Sequence, residues 1–232
     1  MIKIRSGQER GHANLGWLDS HHTFSFGSYY DPANMGFHDL RVINEDRVMP
    51  SGGFPTHPHQ DMEIITYVIE GALEHKDSMG NGSIIHKGDI QGMSAGTGVA
   101  HSEFNHSSVS PVHFLQIWIL TEEKGIHPGY EQKRFIDHAI PNQLNLIAAK
   151  GGRANAIHIN QDVEIYSAIF ETSGNFDWQP DPARHTWIQL VNGELNVNGN
   201  ILSSGDGAAI SDESLVELKA SKDSEFLLFN LK

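Results

Sequence analysis

The segment Thr56-His57-Pro58-His59-Gln60-Asp61-Met62-Glu63 sets two imidazoles two residues apart, with a carboxylate just beyond. On an extended strand residues i and i+2 share a face, so His57 and His59 can offer ring nitrogens to one ion, and Glu63 shares their parity. Pro58 between them favours an extended backbone. A second pair lies in Gly96-Thr-Gly-Val-Ala-His101-Ser102-Glu103-Phe-Asn105, where His101 and Glu103 again share a face. Two pairs from two strands make a four-ligand site. Three imidazoles and a carboxylate suit Fe(II), Ni, Co, Mn, Cu or Zn and leave positions for exogenous ligands. The His-x-His phrase alone is a weak signal in a chain with 15 histidines, and it is the later His-x-Glu that gives it weight. With no cysteine present, thiolate zinc sites, iron–sulfur clusters, disulfides and thiol catalysis are excluded.

Such residues need strands to hold them, and the chain offers many. Beyond residue 38, short β-branched and aromatic stretches are broken by Gly, Asn and Asp, which reads as antiparallel β. Strands are expected at 40–43, 62–69, 73–76, 83–86, 90–93, 98–104 and 111–120, then at 144–148, 163–170, 186–191, 194–197, 208–210, 215–220 and 226–231. Met79-Gly80-Asn81-Gly82 reads as a hairpin turn. Helical periodicity is weak and confined to about Tyr130–Ile140, so helices should be few and short. The two strand sets share a phrase. Thr66-Tyr-Val-Ile-Glu-Gly-Ala-Leu73 with Gly88-Asp89 is echoed by Ile188-Gln-Leu-Val-Asn-Gly-Glu-Leu195 with Gly205-Asp206, the mark of a duplicated β-unit. The turn-rich stretch Thr121–Asn142 would connect the halves, giving domains 1–137 and 138–232.

Among the 232 residues, 16 Lys+Arg oppose 29 Asp+Glu for a formal charge of −13, which speaks against a partner made of nucleic acid. No apolar run approaches the roughly 18 residues that would span a bilayer, and the first ten residues have no signal-peptide core. A soluble cytoplasmic protein is expected.

Gly53-x3-His57-x-His59-x3-Glu63-x7-Gly71 and Gly88-x5-Ser94-x-Gly96-x4-His101-x3-Asn105 resemble the two cupin motifs, with Ser94 where the pattern usually has proline. More narrowly, Arg10-Gly-His-Ala-Asn14, Trp17-Leu-Asp-Ser20, His22-Thr-Phe-Ser-Phe26, Tyr30-Asp-Pro32, Met35-Gly-Phe37, Leu40-Arg-Val-Ile-Asn44 and Met93-Ser-Ala-Gly-Thr-Gly98 resemble the pirin family, and within it the bacterial pirin-like quercetin 2,3-dioxygenases. The resemblance implies an all-β fold of two tandem cupin-type barrels, a bicupin. It implies one divalent transition metal ion, Fe(II) foremost, held by His57, His59, His101 and Glu103. Glu63 stands where many other cupins place their acid, and is expected behind the ligands instead. The implied activity is oxidative cleavage of a flavonol such as quercetin by O2 with loss of carbon monoxide, Glu103 taking the substrate proton. The rival implied by some pirins is a non-catalytic metal or redox sensor that binds a protein partner, which an acidic surface would also suit.

The second repeat is expected to lack the centre. Matching its glycines to those of the first puts Gln179, Asp181 and His185, then Leu218 and Ala220, where the first half has His57, His59, Glu63, His101 and Glu103. His185 is expected to be structural. Gly92-Met-Ser94-Ala-Gly96 matches a nucleophile-elbow pattern, but its surroundings are β-like and an esterase is discounted. His12, His21 and His22 are expected at the surface or hydrogen-bonded, with a lid over the metal as the alternative. Phe114, Trp118 and Leu120 alternate and are expected in the core, with a wall of the substrate pocket as the alternative.

Overall fold

The computed structural model describes residues 1–232. The first half carries β1 (Ile2–Arg5), β2 (Gly11–Asn14), β3 (Leu18–His22), β4 (Leu40–Val48), β5 (Gly53–His59), β6 (Met62–Glu70), β7 (Ala72–Asp77), β8 (Gly82–His86), β9 (Asp89–Ser94), β10 (Val99–Asn105), β11 (Val112–Leu120) and β12 (Gly129–Arg134). The second half carries β13 (Leu144–Ala149), β14 (Ile157–His158), β15 (Glu164–Phe170), β16 (Gly174–Trp178), β17 (His185–Asn192), β18 (Glu194–Val197), β19 (Asn200–Ser203), β20 (Gly207–Ile210), β21 (Val216–Ala220) and β22 (Ser224–Leu231). Helix is confined to short 3-10 turns at Gly7–Glu9, Phe135–Asp137 and Lys150–Asn155. None is long or apolar enough to cross a membrane.

The duplication read from the repeated phrase is visible in the sheets. A seven-stranded sheet in the order β12-β9-β6-β11-β4-β3-β2 faces a four-stranded sheet β5-β10-β7-β8, and the arrangement recurs as β1-β20-β17-β22-β15-β13-β14 with β16-β21-β18-β19. A division at 137/138 leaves one strand on the far side: β1 pairs antiparallel with β20, Ile2 opposite Ile210 and Arg5 opposite Gly207. The weak helical periodicity after Tyr130 is a strand instead. Residues 129–134 pair with β9, and only Phe135–Asp137 turn. This edge strand is half-buried from Gly129 to Lys133 and exposed at Arg134.

Strands β6 and β11 are apolar on both faces over most of their length because both faces are covered. Ile65 and Tyr67 of β6 join Leu115 and Ile117 of β11 in a core shared with Ile157, Ile165, Leu227 and Phe229 of the second half. Their neighbours Ile64, Val68 and Phe114 face into the first barrel. A bridge crosses the shared core where the Tyr67 hydroxyl donates to Glu225 Oε1 at 2.6 Å and meets Ser167 Oγ at 3.0 Å. The second barrel is filled by one apolar cluster of 14 buried residues, whereas the first holds clusters of seven and four. Polar side chains occupy the difference.

Candidate metal centre

The centre is built on paired strands β5 and β10, with His101 opposite His57 and Val99 opposite His59. Between His101 and Glu103 the register slips, so that Glu103 faces Phe54 and β5 carries an extra residue around Pro55–Thr56. A bulge of this kind re-aims side chains next to a site. Gly53 permits the close approach, since a Cβ there would lie 2.4 Å from the Glu103 carbonyl oxygen. His57 Nδ1 sits 2.8 Å from the Pro55 carbonyl. A carbonyl only accepts, so Nδ1 carries the hydrogen and the Nε2 lone pair is left to point away.

His59 Nε2 and His101 Nε2 are 2.9 Å apart, and one ring nitrogen from each of His57, His59 and His101 lies within 4.8 Å of the others. Metal–nitrogen bonds of about 2.0–2.1 Å put two ligand nitrogens at right angles about 3 Å apart, which is the spacing found here. Glu103 Oε2 stands 3.9 Å from His101 Nε2. Glu103 is 4% exposed and its Oε1 has no hydrogen-bond partner, nor has His101 Nδ1. Converging ring nitrogens, an unpartnered His101 Nδ1 and an orphaned carboxylate oxygen are costly in a buried site without a cation, so this donor set fits a divalent transition metal.

The electrostatics agree with that fit. Burial, then the neighbouring histidines, lowers His101 to about 2; burial, then His57, lowers His59 to about 4, so both rings are neutral at pH 7, the form that ligates. Burial pushes Glu103 up to about 8, with the nearby Asp46 carboxylate adding to the rise while Gln116 and Thr66 oppose it. Asp46 is itself pushed to about 7, chiefly by burial, with Ser20 opposing and Glu45 adding. A bound cation would draw both carboxyls back toward their ionised forms.

His57, His59 and Glu103 form one end of a cavity of about 260 Å³. Its walls are Leu18, Phe26, Phe54, Phe114 and Trp118, with Asn44, Asp46 and Gln116 as polar points. Trp118 meets the edge of His59 at 5.0 Å between ring centres. Phe114 and Trp118 are therefore wall as well as core, and Leu120, expected inside, is 40% exposed at the strand end. His22 lines the cavity; His12 and His21 turn to the outside of the same hairpin.

Glu63 is not behind the histidines, contrary to expectation. It accepts from Ser94 Oγ at 2.7 Å and faces Asn160 of the second half, Nδ2 to Oε1 3.5 Å. Shared parity with His57 and His59 does not survive Asp61, whose φ of 49° turns the chain from β5 into β6 and so into another sheet. Ile65 and Tyr67 share the face of Glu63, and that face packs on the second barrel.

Asp46, Asn44, Gln116 and His75 were not singled out by sequence reading. A strand ended at Ile43 hides the alternation Asn44-x-Asp46; extended to Val48, it directs both inward. His75 is buried opposite Glu103, stacked on Tyr130 and 3.4 Å from Asp77 Oδ2.

Strand register shows which residues of the second barrel stand at the positions of the centre, and for the His-x-His pair it departs from the glycine matching. Leu218 of β21 pairs with Phe176 and Val197 as His101 pairs with His57 and Asp77, and Trp178 opposite Val216 answers His59 opposite Val99. Phe176 and Trp178, rather than Gln179 and Asp181, thus stand for the two histidines. His185 opens β17, contacts Ser211 Oγ at 2.8 Å and stacks on His38.

Two β-barrels of one build, the first with a histidine-lined cavity, define a bicupin. The first half matches the Pirin family model over residues 3–119, and the second matches the quercetinase C-terminal cupin domain over residues 146–231. A protein named quercetin 2,3-dioxygenase from Escherichia coli K12 is 49% identical, with 100% of this chain and 99% of that one covered. The crystal structure of YhhW from E. coli superposes with a TM-score of 0.96 at 49% identity, covering 100% of this chain and 98% of that one. A second structure, of bacterial pirin YhhW in complex with nickel(II), gives 0.95 at 48% identity, covering 100% and 99%. The chain belongs to the pirin family.

Proposed function

We propose that the protein is a metal-dependent dioxygenase that cleaves flavonols such as quercetin with O2 and releases carbon monoxide. The carrying observation is an aromatic-walled cavity ending on convergent histidines and a buried carboxyl. In this reading His57, His59, His101 and Glu103 hold the ion, Fe(II) foremost. When bound, that ion supplies Lewis acidity that lowers the pKa of a coordinated hydroxyl and a place for dioxygen to meet the substrate.

The protein's own groups do the rest. Phe26, Phe54, Phe114 and Trp118 offer faces and edges to a planar polyphenol and exclude water, which strengthens charge stabilisation inside. Gln116, Asn44 and Asp46 are placed to hydrogen-bond ring hydroxyls at the polar end. Glu103, ionised beside a bound cation and with Oε1 free of other partners, is the group that accepts the flavonol 3-hydroxyl proton.

The test is aerobic quercetin consumption with carbon monoxide detection, on protein stripped and reloaded with Fe, Ni, Co, Mn or Cu, beside His57→Ala. Metal-dependent turnover with carbon monoxide, absent in the variant, is expected. A filled centre that turns over no flavonol with any metal overturns the reading in favour of a sensor with a protein partner.

A further inference from the structure

The hairpin β2–β3 has two faces. Ala13, Ser20 and His22 look inward and line the cavity. Strand alternation sends His12 and His21 outward, and these are direct cross-strand partners, while Asp19 shares the outer face two residues before His21. His12 Nε2 lies 2.7 Å from Asp19 Oδ1, and His21 Nδ1 lies 3.9 Å from the same oxygen. One donor atom from each of the three falls within 4.8 Å of the others. His21 Nδ1 is shielded from solvent yet has no hydrogen-bond partner.

We propose that His12, Asp19 and His21 form a second transition-metal site, separate from the barrel centre, on the outside of the hairpin that walls the cavity. Two imidazoles and a carboxylate, with water completing the shell, suit Zn(II), Ni(II), Co(II) or Cu(II) and not the oxygen-seeking Ca(II) or Mg(II). The half-exposed edge position gives an ion direct entry. The nearby cations Arg10 and Arg47 are partly offset by Glu45, at 2.8 and 3.2 Å. Burial and Arg10 lower His21, favouring the neutral ring. A bound ion ties β2 to β3 at the end of the seven-stranded sheet and thereby stiffens one wall of the substrate cavity.

The experiment is a zinc titration of the untagged full chain by calorimetry, with bound metal counted after desalting. Two equivalents are expected for the native sequence. His12→Gln/His21→Gln loses one and keeps the barrel equivalent, which also reports an intact fold. His57→Ala/His101→Ala keeps the outer one, so a failure of the barrel centre is read separately. Asp19→Asn weakens the outer equivalent by about ten-fold or more. His12→Gln alone, at a half-exposed residue, serves if the double variant misfolds. Zinc stoichiometry and affinity unchanged by substitution at His12, His21 and Asp19 overturn the proposal.

Discussion

The two barrels share a strand order and differ in what fills them. The second is packed with Leu190, Leu195, Leu218, Phe226 and their neighbours, each worth about 1.5–3 kcal/mol when buried. The first gives up that packing to hold His75, His101, Glu103, Asp46 and Gln116 inside, several with unpartnered polar atoms. One copy of the duplicated unit is thus organised for stability, and the other carries groups that destabilise it until a ligand arrives.

That contrast is open to direct attack. His101→Leu, which gives the first barrel the residue type the second has at Leu218, should abolish metal binding in the barrel while leaving the melting temperature of the metal-free protein unchanged or raised, measured by metal analysis and calorimetry. Leu218→Ala should do the reverse, costing about 2–5 kcal/mol in denaturant unfolding with the metal content intact. If His101→Leu unfolds the protein, the polar lumen is structural and the contrast fails.

A smaller effect concerns pH. The folded-state pKa values of Glu103 and Asp46 are raised to about 8 and about 7 from ordinary values of 4.5 and 3.8. Their contribution to metal-free stability is therefore full below pH about 4 and lost as pH rises to about 8. Urea midpoints of the metal-free protein at pH 5 and 8 should differ in that direction, and Glu103→Gln should flatten the change. Glu45 acts in the opposite sense. Although burial works against it, His113 and Arg10 hold it at about 2, so its contribution is present above pH about 4.5 and lost as pH falls through 2. The smallest effect sharpens the boundary between the barrels. Glu63→Gln should cost about 1 kcal/mol through its contacts with Ser94 and Asn160 and leave barrel metal unchanged. Loss of metal in that variant would return Glu63 to the centre.

The strands that could be read from sequence are those with a strong pattern of their own. The runs at 62–70 and 112–120, the turn at Gly80–Asn81 and the repeat of the glycine phrase were all legible. The strands that escaped, β1 to β3, β12, β14, β16 and β19, are short, polar or edge elements whose extension depends on a distant partner, as Gly174–Trp178 depends on β21. Spacing marked His57, His59 and His101, because two-residue periodicity within one strand is local, but it left Glu63 and Glu103 as rival acids, and the resemblance to pirins favoured Glu103. Glu63 misled because parity was carried across a turn. Asp46 and His75 were hidden because nothing local marks which face of a strand will close a cavity.

The pairing of β1 with β20 sets Ile2 against Ile210. On a ribosome, a segment made among the first residues must wait for one made near the last. Until residues 207–210 emerge, the edge of β20 does not exist, and Ile2–Arg5 have no sheet to join. The barrel with the centre can mature early, since strands β2 to β12 all precede Leu144. The other closes only when residues 2–5 and 207–210 have both emerged, so a nascent chain stalled before residue 207 should hold a competent cavity beside an open, adhesive sheet.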